Sequence, residues 1–323
     1  MVTGATTSAS YTPTEAGNQE VAVSIRPVKR LVTSKPTLEG AGVRLRRAFG
    51  FGDTREVDPF LLLDDFRNDR PEDYLAGFPW HPHRGIETIT YVLAGEVDHG
   101  DSLGNRGTIG SGDVQWMTAG SGIIHQEMPR GDARGRMHGF QLWANLPAAL
   151  KMTAPRYQEV RSGDIPEVTE DDGTRVRVIC GDFWGVTGPV DGIAADPRYL
   201  DVYVPPGRRR SLPVETFRQA FAYVFEGAGK FCNASEPFAV PTESVGWSDV
   251  TPPTEAGDRS LVLFDTGDEV TVQAGDHGVR FLLVSGRPLR EPVAWYGPIV
   301  MNTRDELRQA FEEYQAGTFL KHK

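Results

Sequence analysis

The stretch PWHPHRGIETITYVLAGEV (79–97) decides the fold of this chain and points to its chemistry. Two histidines, His81 and His83, stand just before an apolar run from Glu87 to Val97 that is rich in Ile, Thr, Val and Tyr. Such residues favour β-strands, and side chains two positions apart in a strand point to the same face. The stretch therefore predicts a strand that has two imidazole side chains on the same face at its start.

Runs of similar composition recur along the chain, between 36 glycines and 23 prolines. Three clear examples are VRVICGDF (176–183), AFAYVFEG (220–227) and VRFLLVSG (279–286). Short apolar runs separated by turn-forming residues are typical of all-β sandwiches and barrels. We therefore expect an all-β protein.

One helix is predicted near the C-terminal end, over residues 303–316. Asn302 and Thr303 can cap the run DELRQAFEEYQAG (305–317), and Gly317 can end it. The apolar residues at helical spacing are Leu307, Ala310, Phe311 and Tyr314. This apolar face is expected to pack against a barrel.

The chain also repeats itself. YVLAG (91–95) returns as YVFEG (223–227), and GDV (112–114) returns as GDEV (267–270). Two similar antiparallel β-barrels in tandem would explain both echoes, with a linker around 147–170. The expected division is a disordered N-terminal lead-in at 1–24, an N-terminal barrel at 25–150, and a C-terminal barrel at 151–323 that ends in the helix.

Composition narrows the classes of function. The chain carries 44 acidic and 34 basic residues, for a formal net charge of −10, and its densest basic patch is Arg208 to Arg210. A patch of this size is too small for a nucleic-acid footprint, and no stretch is long enough for a membrane span. We expect neither direct nucleic-acid binding nor membrane association.

The two cysteines and the first residues bear on location. Cys180 and Cys232 are too few for a disulfide framework and are expected to be buried thiols in a reducing cytosol. Residues 1–20 have neither the basic region nor the apolar segment of a signal peptide. A cytoplasmic location is therefore expected.

A second histidine pairing defines the candidate site. His125 and Glu127 in GSGIIHQEMP (120–129) are again two residues apart, and turn residues lie between the two motifs. Two neighbouring strands that each present two inward donors can make a four-point cage with His81 and His83. Three imidazoles and one carboxylate suit one divalent metal ion such as iron, manganese, nickel, copper or zinc. A six-coordinate ion would keep positions open for a substrate.

Other interpretations stay open at this point. His81 and His83 could be surface residues beside a turn, and His125 could be a hydrogen-bonded core histidine. Arg84 could set the charge of the site or form a structural ion pair. His99 and His138 lack an obvious partner two residues away, so both are interpreted as structural.

The long motifs closely resemble the pirin family of the cupin superfamily. The likeness covers most of the chain, and it is carried by HPHRGIETITYVLAGEV (81–97), DSLGNRGTIGSGDVQWMTAGSGIIHQEMP (101–129), GVRLRRAFG (42–50), DPFLLLDDF (58–66), GFQLWANLP (139–147) and GRPLREPVAWYGPIVMNT (286–303). The resemblance implies a bicupin, in which the first barrel binds the metal.

The resemblance also implies a ligand set. The family's metal ligands fall on His81, His83, His125 and Glu127. Many other cupins take their carboxylate four residues after the second histidine, which is Glu87 here, and a role for Glu87 stays open. In the second barrel the corresponding positions hold Pro213, Glu215, Arg280 and Leu282, so no metal is expected there.

Two functions are implied by the resemblance. The first is a quercetin 2,3-dioxygenase-like oxidoreductase that uses Fe(II), or Mn, Ni, Cu or Zn, to open a flavonol ring with O2. In that reaction Glu127, or else Glu87, would take the proton of the flavonol hydroxyl as the catalytic base. The alternative is a non-enzymatic, metal- and redox-dependent regulator that binds a transcription factor or a metabolic enzyme.

Overall fold

A computed structural model describes residues 23–190, 194–231 and 255–322. Nearly all of the expected lead-in lies outside these ranges, as does Cys232. Cys180 is a buried free thiol. No helix in the described part of the chain is long and apolar enough to cross a membrane.

Strands dominate the structure. The first twelve are β1 (Val28–Thr33), β2 (Lys35–Glu39), β3 (Val43–Phe49), β4 (Phe60–Asp65), β5 (Phe78–His83), β6 (Ile86–Ala94), β7 (Glu96–Asp101), β8 (Arg106–Ile109), β9 (Val114–Thr118), β10 (Ile123–Arg130), β11 (His138–Asn145) and β12 (Arg156–Val160). The remaining twelve are β13 (Glu167–Thr169), β14 (Arg175–Cys180), β15 (Asp182–Phe183), β16 (Val186–Thr187), β17 (Arg198–Val204), β18 (Arg209–Pro213), β19 (Gln219–Phe231), β20 (Ala256–Gly257), β21 (Ser260–Phe264), β22 (Glu269–Gly286), β23 (Ala294–Tyr296) and β24 (Ile299–Met301). The prediction of an all-β protein is confirmed.

The α-helices described are α1 (Thr54–Val57) and α2 (Arg304–Gln315). The predicted C-terminal helix is confirmed, and it begins as the sequence indicated. The Thr303 side chain accepts a hydrogen bond from the Glu306 amide, and the Glu306 side chain accepts one from the Thr303 amide. This reciprocal pair satisfies two amides that the first helical turn leaves free.

The first half of the chain forms two sheets that enclose a cavity. A seven-stranded sheet has the order β12-β9-β6-β11-β4-β3-β2, and a four-stranded sheet has the order β5-β10-β7-β8. All of these pairings are antiparallel. The two sheets do not close into a single barrel, so the predicted barrel is here a pair of facing open sheets.

The second half forms one nine-stranded sheet whose main path is β1-β21-β19-β22-β17-β14-β13. The long strand β22 pairs with β18 through its first residues and with β17 through its last. Two register shifts interrupt the pairing of β19 with β22, near Val224 and Gly227. Such irregularities bend strands, which lets one sheet curve around its own core.

Both large sheets take strands from either side of the boundary expected at residue 150. Strand β1, from the start of the described chain, pairs with β21 in the nine-stranded sheet. Strand β12, from beyond residue 150, pairs with β9 in the seven-stranded sheet. The predicted domain limits at 24 and 150 stay predictions, but the two halves are interlocked by these exchanged strands.

A shared apolar core lies between the halves. Tyr91 and Trp116 from the first sheet are buried in the same cluster as Tyr199 and Phe221 from the second. On strand β6, every second residue, including Ile89 and Tyr91, faces this shared core. The alternate residues of β6 therefore face the cavity of the first half.

Candidate metal centre

Two antiparallel strands bring the three predicted histidines together. His81 and His83 lie on β5, separated by Pro82, so that both side chains leave the same face. Strand β10 pairs with β5 so that His125 stands directly opposite His81. The pairing of these two strands thus brings together His81 and His125, which are 44 residues apart in the sequence.

The imidazole nitrogens converge on one point. His81 Nε2 lies 3.1 Å from His83 Nε2 and 2.9 Å from His125 Nε2. All three rings offer a nitrogen within 4.8 Å of the others, and this is the group of described residues that could hold a metal ion.

The hydrogen bonds on the far sides of two rings fix their protons. His81 Nδ1 lies 2.8 Å from the carbonyl oxygen of Pro79, and His83 Nδ1 lies 3.0 Å from that of Pro298. A carbonyl oxygen can only accept, so both Nδ1 atoms carry the hydrogen and donate it. In neutral rings both Nε2 atoms then present lone pairs to each other at 3.1 Å. A cation between them would turn this repulsion into attraction, so the donor set fits a metal ion.

Burial favours the neutral rings that a metal requires. His83 and His125 are almost completely buried. Burial lowers the pKa of both imidazoles well below the usual value, and the neighbouring histidines lower it further. The Nδ1 atom of His125 has no hydrogen-bond partner among the described residues.

Glu127 shares the cavity with the histidines but is not one of the three converging ligands. Its Oε1 accepts a hydrogen bond from Thr90 Oγ1 at 2.8 Å, and its Oε2 accepts one from Gln141 Nε2 at 3.3 Å. The pairing of β10 with β5 shifts its register between His125 and Glu127. Thr90 and Gln141 were not predicted as site residues, and their only signal is that they are polar positions inside the apolar motifs ETITYV and GFQLW.

A cavity of about 600 Å³ opens beside the histidines. Its walls are mainly apolar and aromatic, and Phe78, Trp143 and Trp295 are among them. The Trp143 ring packs edge-on against His83, with ring centres 5.0 Å apart. A volume of this size is typical of sites that enclose small organic molecules.

The second half of the chain completes the site. The hairpin β23–β24 lies against the first half, where it supplies Trp295 to the cavity wall and the Pro298 carbonyl that orients His83. The buried ammonium of Lys151 holds this hairpin through hydrogen bonds to the oxygen atoms of Gly85, Val300 and the Asn145 side chain, at 2.8, 3.0 and 2.6 Å. The C-terminal residues are thus part of the wall and not an appendage.

Arg84 has a structural role. Its guanidinium forms an ion pair with Glu313 on α2 at 2.8 Å and donates to the carbonyl oxygens of Ser121 and Phe319. The group also lies over the Phe319 ring, 4.2 Å from its centre. These contacts fasten the C-terminal helix to the strand that carries His83.

Glu87 faces away from the candidate centre. It lies on the same face of β6 as Ile89 and Tyr91, and Thr118 Oγ1 donates a hydrogen bond to its Oε1 at 2.7 Å. Burial raises the pKa of Glu87 to about 7, and the carboxylate in turn helps to raise the pKa of the buried Cys180 thiol. The sequence left the role of Glu87 open, and here its side chain lies on the face of β6 that points away from the cavity.

Two other histidines are not members of the group of three, but the His99 ring centre lies 5.5 Å from that of His125. His138 packs against the Phe140 and Phe225 rings, and burial lowers its pKa to about 3. His99 stacks on Tyr157, and it does have a partner two residues away, because its Nε2 lies 3.4 Å from the Asp101 carboxylate. In the second half, Glu215 stands at the position that corresponds to His83 in the repeat, and it forms ion pairs with Arg198 and Arg218.

Comparisons with known proteins agree with this architecture. Residues 42–144 match the family model described as Pirin, and residues 199–320 match the Pirin C-terminal cupin domain. The chain is 46% identical to a pirin-like protein of Caulobacter vibrioides, over 91% of this chain and 99% of that protein. It is 40% identical to a Pseudomonas aeruginosa protein named as a candidate quercetin 2,3-dioxygenase, over 90% of this chain and 97% of that protein.

A solved structure shows the same fold. The crystal structure of quercetin 2,3-dioxygenase from Acinetobacter baumannii superposes with a TM-score of 0.78 at 29% identity. The match covers 91% of this chain and 98% of that one. The similarity thus extends over both halves of the molecule.

Proposed function

The chain belongs to the pirin family of the cupin superfamily, and on that premise we propose that it is a metal-dependent dioxygenase that opens the ring of a flavonol such as quercetin. The observation that carries the proposal is the pair of lone-pair-bearing nitrogens of His81 and His83 at 3.1 Å, in the wall of an aromatic cavity. The names of the Pseudomonas and Acinetobacter proteins support the choice of reaction.

We assign His81, His83 and His125 as the protein ligands of one divalent metal ion, with Glu127 as the fourth. Imidazole nitrogens suit iron, nickel, copper and zinc, and a carboxylate adds manganese. Chemistry with O2 favours an ion that can exchange electrons, which zinc does not do. Fe(II) is therefore the first choice.

The residues around the centre divide the remaining tasks. When bound, the metal ion supplies Lewis acidity that lowers the pKa of a ligating flavonol hydroxyl. Glu127 takes the proton of that hydroxyl on a carboxylate oxygen, and Thr90 and Gln141 hold the carboxylate in position. Trp143 and Trp295 orient the flat rings and keep water out of the cavity.

The overall reaction balances without a further reductant. Both ring bonds to the carbon that bears the hydroxyl break, and this carbon leaves as carbon monoxide with its own oxygen. Both atoms of O2 enter the product, which is an ester that carries a carboxylic acid. The proton removed from the hydroxyl ends on that acid.

The test is oxygen uptake by protein reconstituted with a single metal. Metal-free protein is loaded in separate samples with Fe(II), Mn, Ni, Cu or Zn, and uptake and carbon monoxide release are measured with quercetin. We expect equal amounts of the two gases with at least one redox-active metal, and loss of both in Glu127→Gln. Metal binding without uptake of O2 would contradict the enzyme and favour the regulatory alternative.

A further inference from the structure

Four polar side chains lie side by side across the inner face of the seven-stranded sheet. Arg47 on β3 stands opposite Asp64 on β4, Asp64 opposite Gln141 on β11, and Gln141 opposite Thr90 on β6. Side chains at opposite positions of antiparallel strands lie about 5 Å apart. These residues therefore form one continuous row, here called the polar row, which ends at the Glu127 carboxylate that Thr90 contacts.

The polar row is unexpected where it lies. The cavity positions beside it are apolar, as Leu45 on β3 and Leu62 on β4 show. Polar groups in such surroundings cost free energy unless they are hydrogen-bonded, so their presence calls for a reason. Thr90 and Gln141 have one, because they hold Glu127. The proposed reaction leaves the Arg47 and Asp64 end of the row without a task.

The Arg47–Asp64 pair is a built and rigid group. Arg47 Nε and Nη2 donate to the two oxygens of Asp64 at 2.8 and 2.7 Å, and Nη2 also lies 2.8 Å from Glu39 Oε1. Asp64 is buried, and both Arg47 and Asp64 line the same cavity as His81 and His83. Each Asp64 oxygen has a second lone pair, so the Asp64 carboxylate can still accept hydrogen bonds from a molecule in the cavity.

We infer that the Arg47–Asp64 pair is a second recognition point, which binds ring hydroxyls of a flat substrate whose other end ligates the metal. This inference rests on the proposed function and narrows its substrate class. Asp64, whose oxygens accept the ring hydroxyls, lies on β4, two strand spacings from β6. Thr90 on β6 contacts Glu127, so the two ends are on the order of 10 Å apart along the sheet. A single aromatic ring is too short to use both ends of the cavity. The substrate class is therefore a multi-ring aromatic with hydroxyl groups at opposite ends.

Two probes separate the two ends. Quercetin carries the metal-binding hydroxyl and ketone together with four further ring hydroxyls, whereas 3-hydroxyflavone carries only the metal-binding pair. Their dissociation constants are measured on metal-loaded protein without O2, by the change in ligand absorbance. Hydrogen bonds to charged groups predict that the wild-type protein prefers quercetin by about tenfold or more.

Two variants test the assignment. Asp64→Asn keeps the shape of the side chain but removes its charge and one acceptor. The double variant Arg47→Leu with Asp64→Leu removes both charges together, which avoids leaving one buried charge without its partner. In both variants quercetin should bind only as tightly as 3-hydroxyflavone, whose own affinity should stay unchanged. Unchanged metal content and a single cooperative unfolding transition above the assay temperature show that the variants are folded. Asp64→Asn should melt at a lower temperature than wild type, because Arg47 loses its charged partner.

The outcomes distinguish this inference from the proposed function. Equal affinity of the two probes in the wild-type protein, or equal losses for both probes in the variants, would overturn the second recognition point and leave the dioxygenase standing. The expected loss of quercetin preference without any oxygen uptake would keep the recognition point and overturn the dioxygenase. Binding of neither probe would overturn both.

Discussion

The hydroxyl oxygen of Tyr91, in the seven-stranded sheet, lies 2.6 Å from a carboxylate oxygen of Asp201, in the nine-stranded sheet. A second hydrogen bond runs the other way between the halves. The Tyr223 hydroxyl of the nine-stranded sheet lies 3.0 Å from the Asp65 carboxylate of the seven-stranded sheet. Tyr91 and Tyr223 are the leading residues of the two echoed motifs, YVLAG and YVFEG. The internal repeat thus has a physical role, since each copy donates a hydrogen bond to the other half.

Tyr91→Phe should lower the free energy of unfolding by about 1–3 kcal/mol. The change removes the hydrogen bond to Asp201 and the one that Arg177 donates to the Tyr91 hydroxyl at 2.8 Å. Asp201 keeps its two bonds from Arg280, so no buried charge is left alone. Urea denaturation of the variant beside wild-type protein measures the loss. A change below about 0.5 kcal/mol would show that the hydroxyl does not tie the halves together.

Phe319→Ala should lower the free energy of unfolding more than Phe311→Ala, although the sequence places Phe311, and not Phe319, on the apolar face of the helix. Phe319 is only 2% exposed and lies under the Arg84 guanidinium, whereas Phe311 is only partly buried on α2. Truncation of a buried Phe typically costs about 3–5 kcal/mol, and a half-buried ring costs correspondingly less. Thermal and urea unfolding of the two variants provide the comparison. The reverse order would mean that the helix, and not the tail after it, holds the C-terminal end.

Glu87→Gln should remove a pH dependence of stability. The pKa of Glu87 is raised to about 7 in the folded protein by burial, against 4.5 for an exposed glutamate. Its contribution to stability is fully present below pH 4.5 and is lost as the pH rises through 7, by roughly 3 kcal/mol in all. The difference in unfolding free energy between variant and wild type should therefore shift in favour of the variant from pH 5 to pH 8. A pH-independent difference would contradict the raised pKa.

The parts of the site that depend on local pattern could be predicted from sequence. The two residue pairs, His81 with His83 and His125 with Glu127, follow from the two-residue period of a strand. The two-residue period does not extend from His83 to Glu87, because β5 and β6 belong to different sheets. Gly85 turns the chain between them with φ +78°, so the alternation of faces does not carry across it.

The remaining parts of the site depend on contacts between distant segments. Pro298 is more than 200 residues from His83, and neither residue carries a local signal of the hydrogen bond between them. The polar row likewise depends on the pairing register of four strands, of which only β3 and β4 follow one another in the chain. Regular periodicity indicates that a strand exists, but it does not indicate which strand lies beside it.

The most direct test of the metal centre is elemental analysis of wild-type protein, His125→Ala and His138→Ala, purified in parallel. His125 contributes one of the three converging nitrogens, whereas His138 is a partly buried histidine outside that group and is the matched control. We predict one equivalent of metal per chain in wild type and in His138→Ala. In His125→Ala the affinity should fall by more than the roughly 10–100-fold that is typical of losing an outer-shell partner, with the fold retained. A full equivalent in His125→Ala together with its loss in His138→Ala would contradict the account.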